Sequence, residues 1–123
     1  MNEDTKQRVP KIYVCSPYRD KSQECVEKNI RNAQRYCGAV INSVPEALQI
    51  APHIYFTQFM DDDEEDERAQ ALELGKYLLA ECKEIWVFGE RVSEGMAAEI
   101  TEAGRLGIPI RWFTDTCIER GIE

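Results

Sequence analysis

Glu84–Phe88 reads EIWVF, a compact apolar run between Lys83 and Gly89. A run this short and this apolar suits a strand covered on both faces, as in a parallel sheet. Downstream, residues 93–106 carry apolar positions at helical spacing and stop at Gly107, and residues 108–113 form a second β-rich run. A strand, a helix and a strand at that spacing make one parallel crossover unit. Upstream the pattern repeats. Residues 64–81 are helical, with Ala69, Leu72, Leu78, Leu79 and Cys82 recurring, and residues 49–51 are a short strand ending at Pro52. Residues 23–43 place Val26, Ile30, Ala33, Cys37, Val40 and Ile41 at helical spacing, after a first strand KIYVC at residues 11–15. The order is β-α-β-α-β-α-β with a short tail that turns or forms a last helical segment. It predicts a parallel sheet with helices on both faces and right-handed crossovers.

The length of 123 residues fits one domain, residues 1–123, with a polar lead over 1–10. The 43% apolar content supports a real core. The net charge of −8 disfavours nucleic-acid polymers and anionic membranes as partners, because like charges repel. That charge is concentrated. Residues 61–67 read DDDEEDE, and without these seven the 15 bases face 16 acids. The polar start is not a secretory signal, and no stretch approaches the roughly 20 apolar residues of a membrane span. Five cysteines, no C-x-x-C and a single histidine, His53, disfavour a structural zinc site. Cysteines at apolar positions fit a reducing cytoplasm.

Open parallel sheets bind ligands beyond the carboxyl ends of their strands, where the strand order reverses. The segments expected there are Ser16-Pro17-Tyr18-Arg19, Pro52-His53-Ile54-Tyr55 and Ser93-Glu94-Gly95-Met96. The chain lacks G-x-G-x-x-G after the first strand, G-x-x-x-x-G-K-[ST] and G-x-S-x-G. Ser93 suits an N-cap, either of an ordinary helix or of one whose first-turn amides meet a phosphate; Gly95 gives a ligand close access to the backbone. Glu99 is the more informative residue. At 100° per residue it falls about 60° from Met96, inside the arc of Ile100, Ala103 and Leu106. Its helical neighbours Gly95, Met96, Glu102 and Ala103 offer no cation. A carboxylate on that face is either paired with a distant arginine, such as Arg19 or Arg111, or kept for chemistry as a nucleophile or hydroxyl acceptor. Glu94 and Glu102 point outward as solvated surface. Arg19 reads as a phosphate ligand or a loop charge, and His53 as a ligand contact or a structural residue. Tyr18, Tyr55, Phe56 and Phe59 stack on a base or pack a long loop.

These residues resemble the nucleoside 2-deoxyribosyltransferase superfamily, which includes hydrolases cleaving the N-glycosidic bond of nucleoside 5′-monophosphates. The resemblance is carried by KIYVCSPYR at 11–19, IAPH at 50–53 and EIWVFG…SEGMAAEI at 84–100. It is strongest to small members with an APH…DD…LWVFG…S-x-G-M pattern. It implies a flavodoxin-like, Rossmann-like three-layer α/β sandwich with a parallel sheet of four or five strands. It also implies a homo-oligomer, no metal or cofactor, and a nucleotide or nucleoside as small-molecule partner. By this resemblance Glu99 is the nucleophile, and Ser16, Tyr18, Arg19, His53, Ser93, Gly95 and Met96 bind substrate. Two departures stand out. The first loop is one residue longer between Ser16 and Arg19 than the hydrolase pattern. Gly75 stands where the family often has an Asp, so Asp61 or Asp62 becomes the candidate second carboxylate. Without it, the domain binds nucleotide as a sensing module and does not turn it over.

Overall fold

The computed structural model describes residues 9–17, 23–56 and 65–121 in full or as backbone. The elements are β1 (Lys11–Cys15), α1 (Gln23–Ser43), β2 (Leu48–Ile50) and α2 (Pro52–Phe56), followed by α3 (Glu65–Ala80), β3 (Glu84–Phe88), α4 (Glu94–Leu106) and β4 (Ile110–Phe113). The four strands form one parallel sheet in the order β2-β1-β3-β4. This is the flavodoxin-like order in four strands, and the strand order reverses between β1 and β3.

The pleat of the two central strands sorts the core. Ile12, Val14, Trp86 and Phe88 point to one face, with Phe113 of β4, and meet Tyr36 and Val40 of α1. Tyr13, Cys15, Ile85 and Val87 point to the other face and meet Leu79, Met96 and Ala103 of α3 and α4. Two covered faces explain why β1 and β3 read as continuous apolar runs and not as alternating ones. The α1 face is aromatic. Tyr36 stacks on Phe88 at 4.4 Å, Phe88 on Phe113 at 4.9 Å and Trp86 on Phe113 at 4.7 Å between ring centroids.

The elements start and stop for local reasons. Ser93 caps α4, its Oγ accepting from the Met96 amide at 3.2 Å. The box closes through sulfur, the Ser93 amide donating to Met96 Sδ at 3.5 Å. Gly107 ends α4 at φ 75°, a left-handed conformation that glycine adopts without strain, and the Ile108 amide returns to the Ala103 carbonyl at 2.9 Å. The last strand therefore begins at Ile110, two residues after the apolar run does. The second strand lies one residue earlier than its apolar pattern suggests, because Leu48 takes the Pro10 carbonyl at 2.8 Å and starts the pairing with β1. The segment after it is a helix of five residues, α2, and not a loop. Pro52 suits a first helical turn, where its missing N–H costs nothing.

Arg111 shows why the chain end is fastened to the α1 face. Its guanidinium lies 4.5 Å over the Trp86 ring and forks onto Glu119 at 2.8 and 2.7 Å, with Glu84 at 3.3 Å. The Glu119 carboxylate holds it well above its usual pKa. Arg111 is thus committed on the face opposite Glu99 and is not its partner. No helix among the described residues is long and apolar enough to cross a membrane.

Candidate functional site at the sheet's point of reversal

Glu99 sits on α4, whose N-terminus follows β3, and faces β1 across the point where the strand order turns. Its carboxylate accepts a hydrogen bond from Tyr13 Oη at 2.5 Å. That distance is typical of a hydroxyl donating to a charged oxygen. The two residues lie 86 positions apart in the chain. The Tyr13 side chain is buried at 1% exposure, whereas Glu99 keeps part of its surface accessible. Glu99 is therefore half-buried and not sealed within the core. Cys15 shares the Tyr13 face of β1, and its thiol lies 4.0 Å from the Met96 carbonyl.

Space for this arrangement comes from α3. Gly75 is buried against the sheet, and a Cβ there would stand 3.3 Å from Tyr13 Oη. A side chain there would crowd the tyrosine hydroxyl that reaches Glu99, which would have to give by a few tenths of an ångström. The electrostatics follow. Burial raises the Glu99 pKa, and the bonds from Tyr13 and Cys15 partly oppose it. Burial and the neighbouring Glu99 charge push Tyr13 well up, so the proton stays on the phenol. Burial and the same charge keep the Cys15 thiol protonated.

A second pair lies at the end of β1. Ser16 Oγ and His53 Nε2 are 3.1 Å apart, joining the first loop to α2. Ser16 is buried and His53 partly accessible. Burial lowers the His53 pKa to about 4, so the imidazole is neutral at pH 7 and offers one donor and one acceptor. The unfolded chain therefore takes up this proton near pH 6.5, and the folded one only near 4. Stability from His53 is complete above pH 6.5 and is lost as pH falls toward 4, by on the order of 2–3 kcal/mol. His53→Gln is expected to flatten that loss. Urea midpoints at pH 7 and 4.5 check it, and equal falls in both proteins would contradict it.

The structure brings Ser16 and His53 together, and places Gly95 and Glu99 on α4 with Ser93 as its N-cap. Met96 has its side chain in the core at 2% exposure, and its amide donates to Ser93 Oγ. Phe56 is buried and Tyr55 exposed. Tyr18, Arg19, Phe59, Asp61 and Asp62 lie outside the described residues. One residue that contacts Glu99 escapes a reading of the chain, Tyr13. Tyr13 hides in an apolar strand. Among the described residues, no three His, Cys, Asp or Glu side chains converge as a metal site.

Fold and site together define a flavodoxin-like α/β protein with a tyrosine-bound carboxylate at the reversal point of its sheet. The chain belongs to the family described as "Domain of unknown function (DUF7768)", which matches residues 10–113. No curated protein matches it in sequence. In structure it is similar to a 2-deoxyribosyltransferase from the psychrotolerant bacterium Bacillus psychrosaccharolyticus, at a TM-score of 0.61 and 16% identity over 92% of this chain and 77% of that one. The similarity is one of fold.

Proposed function

We propose that this domain cleaves or transfers at the N-glycosidic bond of a (deoxy)nucleoside 5′-monophosphate or nucleoside, with Glu99 as nucleophile. The observation that carries the reading is the half-buried Glu99, its carboxylate bonded by Tyr13 at the sheet's reversal point. The fold shared with a 2-deoxyribosyltransferase supports it. In the reaction a Glu99 oxygen bonds to C1′ as the C1′–N bond breaks. The base leaves with the bonding electron pair and takes a proton. Water, or a second base, then attacks C1′ and frees the carboxylate. Positive character at C1′ in both steps is what an anionic oxygen stabilises, as in retaining glycosidases. Tyr13 holds the attacking carboxylate in one orientation. Ser16 and His53 supply neutral hydrogen bonds to the sugar side, and the α4 N-terminus with Ser93 and Gly95 faces the phosphate. Asp61 or Asp62 is proposed as the group that protonates the departing base.

A second reading has one observation in its favour. The hydrogen-bond partners that the described residues give Glu99 are Tyr13 and Cys15, with Gly75 contributing no carboxylate. On that basis the domain binds nucleotide without turnover. Chromatography after incubation with each deoxynucleoside monophosphate separates the two. Free base supports the first reading. Ligand-induced thermal stabilisation with every nucleotide recovered intact supports the second.

We place the protein in the cytoplasm, working on a small molecule as a homo-oligomer. Size-exclusion chromatography with light scattering tests the assembly, and a monomer would remove it from the account.

A further inference from the structure

The residues that follow β4 are fastened to the loop that leads into α4. β3 runs out at Gly89, whose amide still donates to the Phe113 carbonyl at 3.1 Å. Its φ of 108° suits glycine and strains other residues. A Cβ there would lie 3.9 Å from Pro17, the residue after Ser16, so Gly89 stands where the loops after β1 and β3 meet. Residues 90–92 then lead to the cap residue Ser93. The chain returns to this place after β4. The Thr114 amide donates to the Ile118 carbonyl at 2.8 Å, Glu119 bridges Phe113 in antiparallel sense, and the Arg120 amide donates to the Trp112 carbonyl at 2.9 Å. The fork of Arg111 on Glu119 ties this turn to β4. Arg120 is thereby set beside Gly89. Its Nη2 donates to the Gly89 carbonyl at 2.9 Å, and its Nη1 lies 3.9 Å from Glu90 Oε1. The first contact is a hydrogen bond and the second is too long for one. The Arg120 and Glu90 side chains are exposed, so their ion pair contributes little. The bond to the Gly89 carbonyl is the one that matters.

We infer that Arg120 is a positioning residue, which through the Gly89 carbonyl fixes the loop between β3 and α4 and with it the Ser93 cap. A free loop samples many conformations, and freedom removed before a ligand arrives is entropy that binding no longer has to remove. Gly89 is where this loop has most freedom to lose, since glycine restricts its own dihedrals least. A charged donor on its carbonyl, anchored in turn to β4, removes that freedom from outside the loop. The consequence for ligand binding rests on the nucleotide reading of the Glu99 site; the fastening of the loop does not.

Amide hydrogen exchange followed by NMR tests the fastening. In Arg120→Gln two amides are expected to exchange about 3- to 10-fold faster, the worth of one hydrogen bond. They are Gly89, at the start of the loop, and Met96, whose amide is bonded to the Ser93 cap. The Ile85 amide, held by the Pro109 carbonyl at 3.0 Å near the other end of β3, is the reference and should not change. Arg120→Lys keeps a charged donor and should recover part of the protection. Glu90→Gln removes only the long contact and should match wild type. Unchanged exchange at Gly89 and Met96 in Arg120→Gln would overturn the inference. So would equally faster exchange at Ile85, the sign of a general loss of stability. Isothermal titration calorimetry with the four deoxynucleoside 5′-monophosphates tests the consequence. Arg120→Gln is expected to bind about 3- to 10-fold more weakly at a nearly unchanged melting temperature, with partial rescue by Arg120→Lys. Faster exchange in the loop with unchanged affinity would overturn the positioning role. Wild-type protein that binds none of the four would overturn the nucleotide reading, while the exchange data still decide the fastening. Circular dichroism confirms folding; should Arg120→Gln fail to fold, Arg120→Met, which keeps the apolar stem without the donors, takes its place under the same outcomes.

Discussion

Glu99→Gln is expected to abolish base release, lowering turnover by roughly 10³-fold or more, the scale seen when a nucleophile is removed. Glutamine keeps the shape of the side chain, and its carbonyl oxygen can accept the Tyr13 bond that Glu99 accepts at 2.5 Å. What it loses is the negative charge and the basic lone pair that would bond to C1′. Nucleotide affinity should therefore persist while chemistry stops, so loss of binding would point to a structural role instead. Stability should move the other way. Burial raises the Glu99 pKa, so the folded state favours the protonated carboxyl. For a raised carboxyl, stability is highest below the unfolded value near 4.5 and falls as pH rises through the folded value. At pH 7 the native protein carries that cost and the glutamine variant does not. A melting temperature higher by roughly 2–5 °C at pH 7, with a smaller gain at pH 4, is expected. A variant that melts lower at both pH values would contradict the electrostatic part of the argument.

Tyr13→Phe carries the second large effect. The ring stays in the core beside Leu79, Ile85 and Met96, so the packing survives. The hydroxyl is lost, and Glu99 loses the donor that orients its carboxylate. Turnover is expected to fall roughly 10- to 100-fold, as when one charge-assisted bond is deleted. The pH profile gives the sharper evidence. Tyr13 lowers the Glu99 pKa against the dominant effect of burial. Removing it raises that pKa further, and the ionised nucleophile then appears only at higher pH. The acid limb of the rate profile should shift upward. An unchanged acid limb with reduced turnover would show that Tyr13 packs the site without tuning it.

The two central strands were legible because a doubly covered strand needs no alternation, only an apolar run between polar ends. EIWVF at Glu84–Phe88 and KIYVC at Lys11–Cys15 have those bounds in the structure. α4 was legible at both ends because Ser93 and Gly107 act through their own backbone neighbours. The start of β2 depends on an amide reaching Pro10, a contact set by the sheet and not by local pattern. Glu99 could be singled out from its own helix, since an acid within an apolar arc is conspicuous. Its partner could not. Tyr13 looks like any aromatic of a strand until β1 and α4 are laid side by side. Met96 stands in the same motif as Ser93 and Gly95, and its side chain turns into the core. Gly75 reads in sequence as a missing carboxylate. In three dimensions it is also the space that the Tyr13 hydroxyl needs.

The most direct measurement is free base released from deoxynucleoside 5′-monophosphates by wild-type protein and Glu99→Gln in parallel, followed by chromatography. The account predicts that wild-type protein releases base, with the sugar phosphate in equal amount when water is the acceptor, and that the variant binds the same nucleotide and releases none. Nucleotides recovered intact from wild-type protein that binds them, or equal release by both proteins, would contradict it.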